Sequence, residues 1–116
     1  RFLYHNRKWT VEVFVNLLEN AIKYTEKGGF ISIRVKSYEL YTEIQISDNG
    51  RGIRQEELTD IFKRFYRSPE VENMEGSGIG LYLCNLILEK EKEYITAISE
   101  YGKGSCFSVF LQNCKN

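Results

Sequence analysis

Residues Val11–Thr25, with the sequence VEVFVNLLENAIKYT, predict a helix whose polar side carries groups suited to metal and phosphate chemistry. With about 100° of rotation per residue, four polar side chains fall within one narrow arc: Asn16, Glu19, Asn20 and Lys23. The opposite arc is apolar and is predicted to pack on a sheet. Amide and carboxylate oxygens suit Mg²⁺, and a lysine one turn away can contact a phosphate. A solvated helix face explains the stripe equally well when it is considered alone.

A second candidate is an aspartate that continues the apolar side of a strand. In TEIQISDNGRGI, the two-residue alternation puts Asp48 on the same side as Ile44 and Ile46. A carboxylate there is costly unless it accepts a hydrogen bond. The donor is either the backbone, in an Asx-turn or a helix cap, or the amino group of a ligand at the mouth of a pocket. Gly50 and Gly52 would then let the backbone approach that ligand closely.

The third candidate is the glycine-rich sequence EGSGIGLYLC, in which Gly76, Gly78 and Gly80 precede an apolar helix. Free N–H groups and the positive end of the helix dipole favour an anion at such a position. The spacing alone is a weak signal. A charged loop precedes it, where a Rossmann fingerprint has an apolar strand, and it lacks the Gly-Lys-Ser/Thr of a P-loop.

Three helices and five strands are predicted to position these groups. The helices are Lys8–Tyr24, with Asn6 or Thr10 as its N-cap, Ile53–Ile61 and Ile79–Lys90. The strands are Arg1–Tyr4, Phe30–Lys36, Thr42–Ser47, Tyr94–Ser99 and Ser105–Leu111. The stretch of about residues 62–78 is polar, irregular and long for a small domain, so we expect a lid or binding segment.

Composition bounds the class of protein. The 116 residues suffice for one compact domain, and 16 basic residues balance 16 acidic ones. Net charge therefore gives no argument for binding nucleic acid or an anionic membrane. Three cysteines without metal-ligand spacing fit a reducing compartment, with Cys84 and Cys106 as small core residues.

Taken together, the motifs resemble the catalytic and ATP-binding domain of bacterial two-component sensor histidine kinases. This family lies in the GHKL superfamily, with Hsp90, gyrase B and MutL ATPases. NLLENAIKYT is similar to the family's N box, DNGRGI to its G1 box, FKRFYR to its F box and GSGIGLYL to its G2 box. The four motifs follow the family's order and spacing over nearly the whole chain. One departure is EKEKEY after the third helix, which lacks the usual pair of glycines.

The resemblance implies an α/β (α+β) two-layer sandwich of the Bergerat type, a mixed five-stranded sheet covered on one face by three helices. It also implies that residues 1–116 form a single ATP-binding catalytic domain with a lid at about 62–78. That domain would be the C-terminal fragment of a longer kinase.

The resemblance further implies roles for the helix stripe. Asn20, together with Asn16, would bind Mg²⁺. Glu19 and Asn20 would be the catalytic residues, with Glu19 orienting a metal-bound water or assisting proton transfer. Lys23 would contact phosphate, and Tyr24 would lie near the nucleotide.

Elsewhere in the chain, the implied roles concern the adenine base and the phosphates. Asp48 would accept from the adenine amino group, and Gly50, Gly52 and Ile53 would shape the adenine pocket. Phe62 and Phe65 would join the lid to the core. The remaining implied nucleotide-binding residues lie in the lid and at the start of the third helix: Arg64, Arg67, Gly76, Gly78, Ile79, Gly80 and Leu81.

The implied activity is binding of Mg-ATP and transfer of its γ-phosphoryl group to a histidine on a separate dimerisation domain. The single histidine, His5, lacks the acidic and proline context of that acceptor. We therefore expect phosphorylation only when the chain is joined to a helical hairpin that it lacks. Two alternatives stay open, a non-catalytic nucleotide-gated interaction module and a related ATPase or anti-sigma serine kinase. The F box and the GKGS-F ending favour the histidine kinase.

The implied partners are the phosphoacceptor-histidine domain of the same protein, as a homodimer in full length, and a downstream response regulator. We expect no nucleic acid and no direct membrane contact for this domain. We expect a cytoplasmic location, within a full-length protein that is anchored in a membrane.

Overall fold

A four-stranded antiparallel sheet forms one layer of the protein in a computed structural model that describes residues 7–63 and 79–113. The strands are β1 (Ile31–Ser37), β2 (Tyr41–Asp48), β3 (Tyr94–Glu100) and β4 (Gly104–Gln112). Their order across the sheet is β1-β2-β4-β3. These four predicted strands are confirmed, with ends that differ by at most one residue.

The sheet differs from the predicted mixed, five-stranded one. Within the described ranges it has four strands, and all three pairings between neighbours are antiparallel. The reason is that β1–β2 and β3–β4 are hairpins, and they join through β2 and β4, which run in opposite directions. The fifth predicted strand, Arg1–Tyr4, lies outside the described residues.

Three helices pack against this sheet: α1 (Arg7–Tyr24), α2 (Gln55–Leu58) and α3 (Ile79–Lys90). The predicted bounds of α3 are confirmed and those of α1 differ by one residue. The second helix is shorter than the predicted Ile53–Ile61. Arg54 has extended backbone angles, and the N–H of Ile53 donates to the Ser99 hydroxyl, so the helix begins only at Gln55. None of the helices in the described ranges is long and apolar enough to cross a bilayer.

The core lies between the helices and one face of the sheet, called the inner face below. Val13, Leu17 and Ala21, spaced four residues apart on α1, are all buried. They meet inward side chains of β2 and β4 and the apolar side of α3, which include Ile46, Phe107, Val109, Cys84 and Leu88. Burial raises the pKa of the Cys84 thiol to about 12, so Cys84 is the small core residue predicted, whereas Cys106 is only half-buried.

A buried carboxyl group lies immediately before β3. Glu93 is 5% exposed, and one of its oxygens accepts the N–H of Gln112 on β4 at 2.8 Å. Desolvation raises the pKa of Glu93 from 4.5 to about 7, with a smaller raising effect from Glu91, against the lowering effect of that hydrogen bond. Because the folded protein binds the proton of Glu93 more tightly than the unfolded chain does, protonation of Glu93 stabilises the fold. This contribution to the free energy of unfolding is fully present below about pH 4.5 and is lost as the pH rises through 7.

We therefore expect the melting temperature of the wild type to fall, relative to a Glu93→Gln variant, as the pH is raised from 4.5 to about 7. The glutamine stays neutral and keeps an oxygen for the Gln112 N–H. Glu100→Gln, at an exposed carboxylate at the other end of β3, is the matched control. Thermal melts in a pH series measure the effect, and parallel curves for the wild type and Glu93→Gln would contradict it.

Candidate nucleotide-binding site

The loop of residues 49–54, which joins β2 to α2, is held on three sides by the backbone. Asn49 exchanges hydrogen bonds with Phe30, through its side-chain oxygen at 2.8 Å and its own N–H at 3.3 Å. The N–H of Arg51 donates to the carbonyl of Tyr24 at 3.2 Å, and the carbonyl of Arg51 accepts from Gly102. The loop is therefore fixed against the end of α1 and against the β3–β4 hairpin.

Asp48, the last residue of β2, lies on the inner face of the sheet and is half-buried. Its Oδ1 accepts the N–H of Gly50 at 2.8 Å, which is an Asx-turn, and the carboxylate also accepts the N–H of Ser105. Burial raises the pKa of Asp48, while these two donors lower it. The backbone thus supplies two hydrogen-bond donors to Asp48. Because a carboxylate has two oxygens, it keeps acceptor positions for a further donor.

Two glycines permit the close packing around Asp48. A Cβ on Gly50 would lie 2.2 Å from the carbonyl oxygen of Tyr24 and 3.0 Å from Oδ1 of Asp48. Gly52 has a φ of +76°, and a Cβ there would lie 2.2 Å from the carbonyl oxygen of Glu100. Any larger residue would push the loop away from the neighbouring elements. The glycines predicted beside Asp48 therefore bring the loop backbone against α1 and β3.

The polar stripe of α1, formed by Asn16, Glu19, Asn20 and Lys23, lies between this loop and the start of α3. At one end, a Cβ on Gly80 would lie 3.6 Å from Oδ1 of Asn16, so the first turn of α3 packs on that amide. At the other end, Tyr24 contacts Gly50 and Arg51. The two contacts are about 12 Å apart along the helix, at about 1.5 Å of rise per residue. Between them Glu19 is exposed, and Asn20 and Lys23 are half-buried.

The side chains of the stripe bear on whether a metal could bind there together with a nucleotide. Nδ2 of Asn16 is buried and has no hydrogen-bond partner among the described residues. The described ranges contain no group of three or more His, Cys, Asp or Glu side chains that could hold a metal on their own. The oxygens of Asn16, Glu19 and Asn20 are of the type that Mg²⁺ accepts when phosphates complete its coordination. The residues present are compatible with such an ion.

Comparison with known proteins decides the family. Residues 5–114 match the family described as histidine kinase-, DNA gyrase B-, and HSP90-like ATPase. The chain belongs to this ATPase family.

Relatives of this ATPase domain include the sensor protein SrrB of Staphylococcus aureus. The protein of strain MRSA252 is 35% identical over an alignment of 113 residues, and the alignment covers 90% of this chain and 19% of SrrB. In strain NCTC 8325 the identity is 36% over an alignment of 102 residues, with coverage of 86% of this chain and 18% of SrrB. The chain therefore spans about a fifth of the length of the curated relatives that it matches.

Solved structures share the fold of this ATPase domain. A mycobacterial sensor histidine kinase, MprB, superposes with a TM-score of 0.88 at 24% identity, over 98% of this chain and 78% of that one. The catalytic domain of histidine kinase ThkA gives 0.83 at 24% identity, over 96% of this chain and 70% of that one. At this identity the likeness concerns the fold.

The structure brings some of the predicted site residues of this ATPase domain together: Asn16 lies against Gly80, and Tyr24 and Asp48 lie against Gly50. Ile53 is half-buried and packs on the core, as does Leu81 in the first turn of α3. Ile79 begins α3. Phe62, predicted to join the lid to the core, packs edge-on against Phe107 with 6.4 Å between ring centroids. Four predicted site residues lie outside the described ranges: Arg64, Arg67, Gly76 and Gly78. Phe65 and most of the predicted lid lie outside them as well.

Sequence reasoning missed two serines beside Asp48. Ser105 lies opposite Asp48 in the β2–β4 pairing, and Ser99 lies opposite Ser105 in the β3–β4 pairing. The sequence did contain a signal for Ser99. The two-residue alternation puts Ser99 on the same side of its strand as Ile95 and Ala97, just as it puts Asp48 on the same side as Ile46. Their hydrogen-bond partners depend on strand register, which the sequence alone does not give.

We expect Asp48→Asn to abolish measurable binding of Mg-ATP while the fold stays intact. The asparagine oxygen can still accept the Gly50 N–H, so the Asx-turn persists. Its amide nitrogen replaces an acceptor by a donor where the base amino group would approach. Isothermal titration calorimetry measures affinity and thermal melting checks the fold. Asp60→Asn, at a half-buried position paired with Lys63, is the control. Undiminished affinity in Asp48→Asn would refute the adenine role.

Proposed function

We propose that this domain binds Mg-ATP and donates the γ-phosphoryl group to a histidine on a separate dimerisation domain of a sensor histidine kinase. Membership of the ATPase family and the resemblance to sensor kinases support the reaction class. The proposal concerns the whole protein, since the phosphate acceptor would lie on another domain.

One observation carries the proposal. Asn16, in the polar stripe of α1, contacts the start of α3, and the backbone carbonyl of Tyr24, at the end of the same helix, accepts from the loop after Asp48. The helix α1 therefore connects a helix start suited to phosphates with a loop that carries a carboxylate suited to a base amino group. A nucleotide bound along α1 would contact the polar stripe, the start of α3 and the carboxylate of Asp48.

At the base end, Asp48 would accept from the adenine amino group. The two N–H donors that already bind its carboxylate fix its position, and Gly50 and Gly52 keep the loop close to α1 and β3. Ile53 would supply apolar contact to the ring. A base site held by backbone contacts requires little rearrangement when the nucleotide binds.

At the phosphate end, Asn16 and Asn20 would hold Mg²⁺ together with the phosphates, and the ion would neutralise charge on the transferred group. Glu19 would orient a water molecule or accept a proton, and Lys23 would contact phosphate. The backbone N–H groups at the start of α3, from Ile79 to Leu81, would add further donors. Transfer would depend mainly on positioning and charge neutralisation.

The remaining parts of the proposal lie mostly outside the described residues. Residues 62–78 would form the lid, with Arg64 or Arg67 approaching the phosphates, and Gly76 and Gly78 would be among the nucleotide-binding residues, with the backbone N–H of Gly78 offered to a phosphate. Arg1–Tyr4 would add the fifth strand of a Bergerat-type sheet. In the whole protein, this domain would work in the cytoplasm as part of a membrane-anchored homodimer that passes the phosphoryl group to a response regulator.

Asn20→Asp should change the Mg²⁺ dependence of ATP binding more than it changes affinity for the base. The substitution keeps the size of the side chain and adds a negative charge beside metal and phosphate, where charge balance governs affinity. Calorimetry with ATP, with and without Mg²⁺, measures both effects. Asn85→Asp on α3 is the matched control. Equal loss of binding with and without the metal would count against the metal role.

Phosphotransfer tests the activity itself. The domain would be mixed with a helical-hairpin phosphoacceptor domain of the same protein and with ATP labelled at the γ-phosphate. We expect acid-labile, base-stable label on the acceptor histidine, and slow hydrolysis by the domain alone. ATP binding without transfer would favour the nucleotide-gated interaction module, and transfer to a serine protein would favour the serine kinase. Either result would overturn the proposal.

A further inference from the structure

The inner face of the sheet ends in three polar side chains from three neighbouring strands, called the polar row here: Asp48, Ser105 and Ser99. The register pairs Asp48 of β2 with Ser105 of β4, and Ser105 with Ser99 of β3. Side chains of directly paired residues share one face of a sheet. The polar row therefore begins at the proposed base carboxylate and ends on the outermost strand of the described sheet.

Ser99 makes an unusual number of polar contacts for a buried serine. It is 7% exposed, and its hydroxyl accepts the N–H of Ile53 at 2.6 Å. The same oxygen lies 2.9 Å from the carbonyl oxygen of Gly104 and 2.8 Å from Oγ of Ser105. Its own carbonyl accepts Nε2 of Gln55 at 2.7 Å. One residue of β3 thus links the β2–α2 loop to the hairpin of β3 and β4.

The directions of these hydrogen bonds follow from counting protons and lone pairs. A serine hydroxyl has one proton and two lone pairs. A carbonyl only accepts, so Ser99 gives its proton to Gly104. The N–H of Ile53 uses one lone pair of Ser99, and the Ser105 hydroxyl then donates to the other. The Ser105 proton is therefore directed to Ser99 and away from Asp48.

We propose that Ser99 is a positioning residue for the base end of the nucleotide site. It holds the β2–α2 loop through Ile53, and it keeps the Ser105 proton from occupying the acceptor positions of Asp48. The carboxylate then remains open to an amino group of the ligand. The inference rests on the proposed function, because it concerns the same cleft and the same adenine contact.

The proposal predicts a specific defect when the hydroxyl is removed. In Ser99→Ala, the Ile53 N–H has lost its acceptor, and the Ser105 hydroxyl can turn to Asp48 and compete with the adenine amino group. We expect affinity for ATP to fall about tenfold, the scale of one lost hydrogen bond to a buried group. Inosine triphosphate carries an oxygen in place of that amino group, so its affinity should fall much less.

The experiment compares binding of ATP and inosine triphosphate, each with Mg²⁺, by the wild type, Ser99→Ala and Ser99→Thr. The threonine keeps the hydroxyl and should restore the preference for ATP. Ser108→Ala is the matched control, since Ser108 is 5% exposed but lies on the opposite face of β4. Amide hydrogen exchange without nucleotide adds a second measurement, in which Ile53 should exchange faster in Ser99→Ala than in the wild type.

A merely structural role for Ser99 would weaken ATP and inosine triphosphate equally, and that result would overturn the proposal. Unchanged ATP affinity in a folded Ser99→Ala variant would overturn it as well, and would leave the proposed function standing. Failure of the wild type to bind ATP would overturn the proposed function and this inference with it. Unchanged exchange at Ile53 would contradict the hydrogen-bond assignment whatever the binding data.

Discussion

The carboxylate of Asp48 is the constraint around which the site is organised. A half-buried acid at the end of an apolar strand face is costly unless donors surround it, and the surrounding chain supplies the N–H groups of Gly50 and Ser105. Supplying them requires glycine at position 50, where a side chain would collide with α1, and requires β4 beside β2. The local arrangement around Asp48 thus follows from the need to supply hydrogen-bond donors to one carboxylate.

Much of this arrangement could be predicted from residue patterns. Alternation located the four described strands and placed Asp48 with Ile44 and Ile46. β2, β3 and β4 each have one face on the core, whereas β1 is exposed along most of its length. The period of α1 separated its buried side from its polar stripe. The family resemblance added the order of the motifs, and residues 5–114 match the corresponding ATPase family. Local periodicity suffices where burial of one face decides the structure.

Features that depend on register and tertiary contact could not be predicted in this way. The second helix begins only at Gln55, because Arg54 is extended, and Ser99, 46 residues away, accepts the N–H of Ile53 in the preceding loop. Burial of Glu93 and the linkage of the polar row likewise depend on which residues face one another across strands. The sheet is antiparallel within the described ranges, where a mixed one was expected, because the two hairpins meet through β2 and β4. Sequence periodicity contains none of this information.

The most direct test of the account is a crystal structure of the domain with a non-hydrolysable ATP analogue and Mg²⁺. The account predicts the purine between α1 and the loop after β2, with its amino group at hydrogen-bond distance of about 3 Å from Asp48, and the phosphates toward Asn16 and the start of α3. A purine bound elsewhere, or an Asp48 side chain that points away from it, would contradict the account.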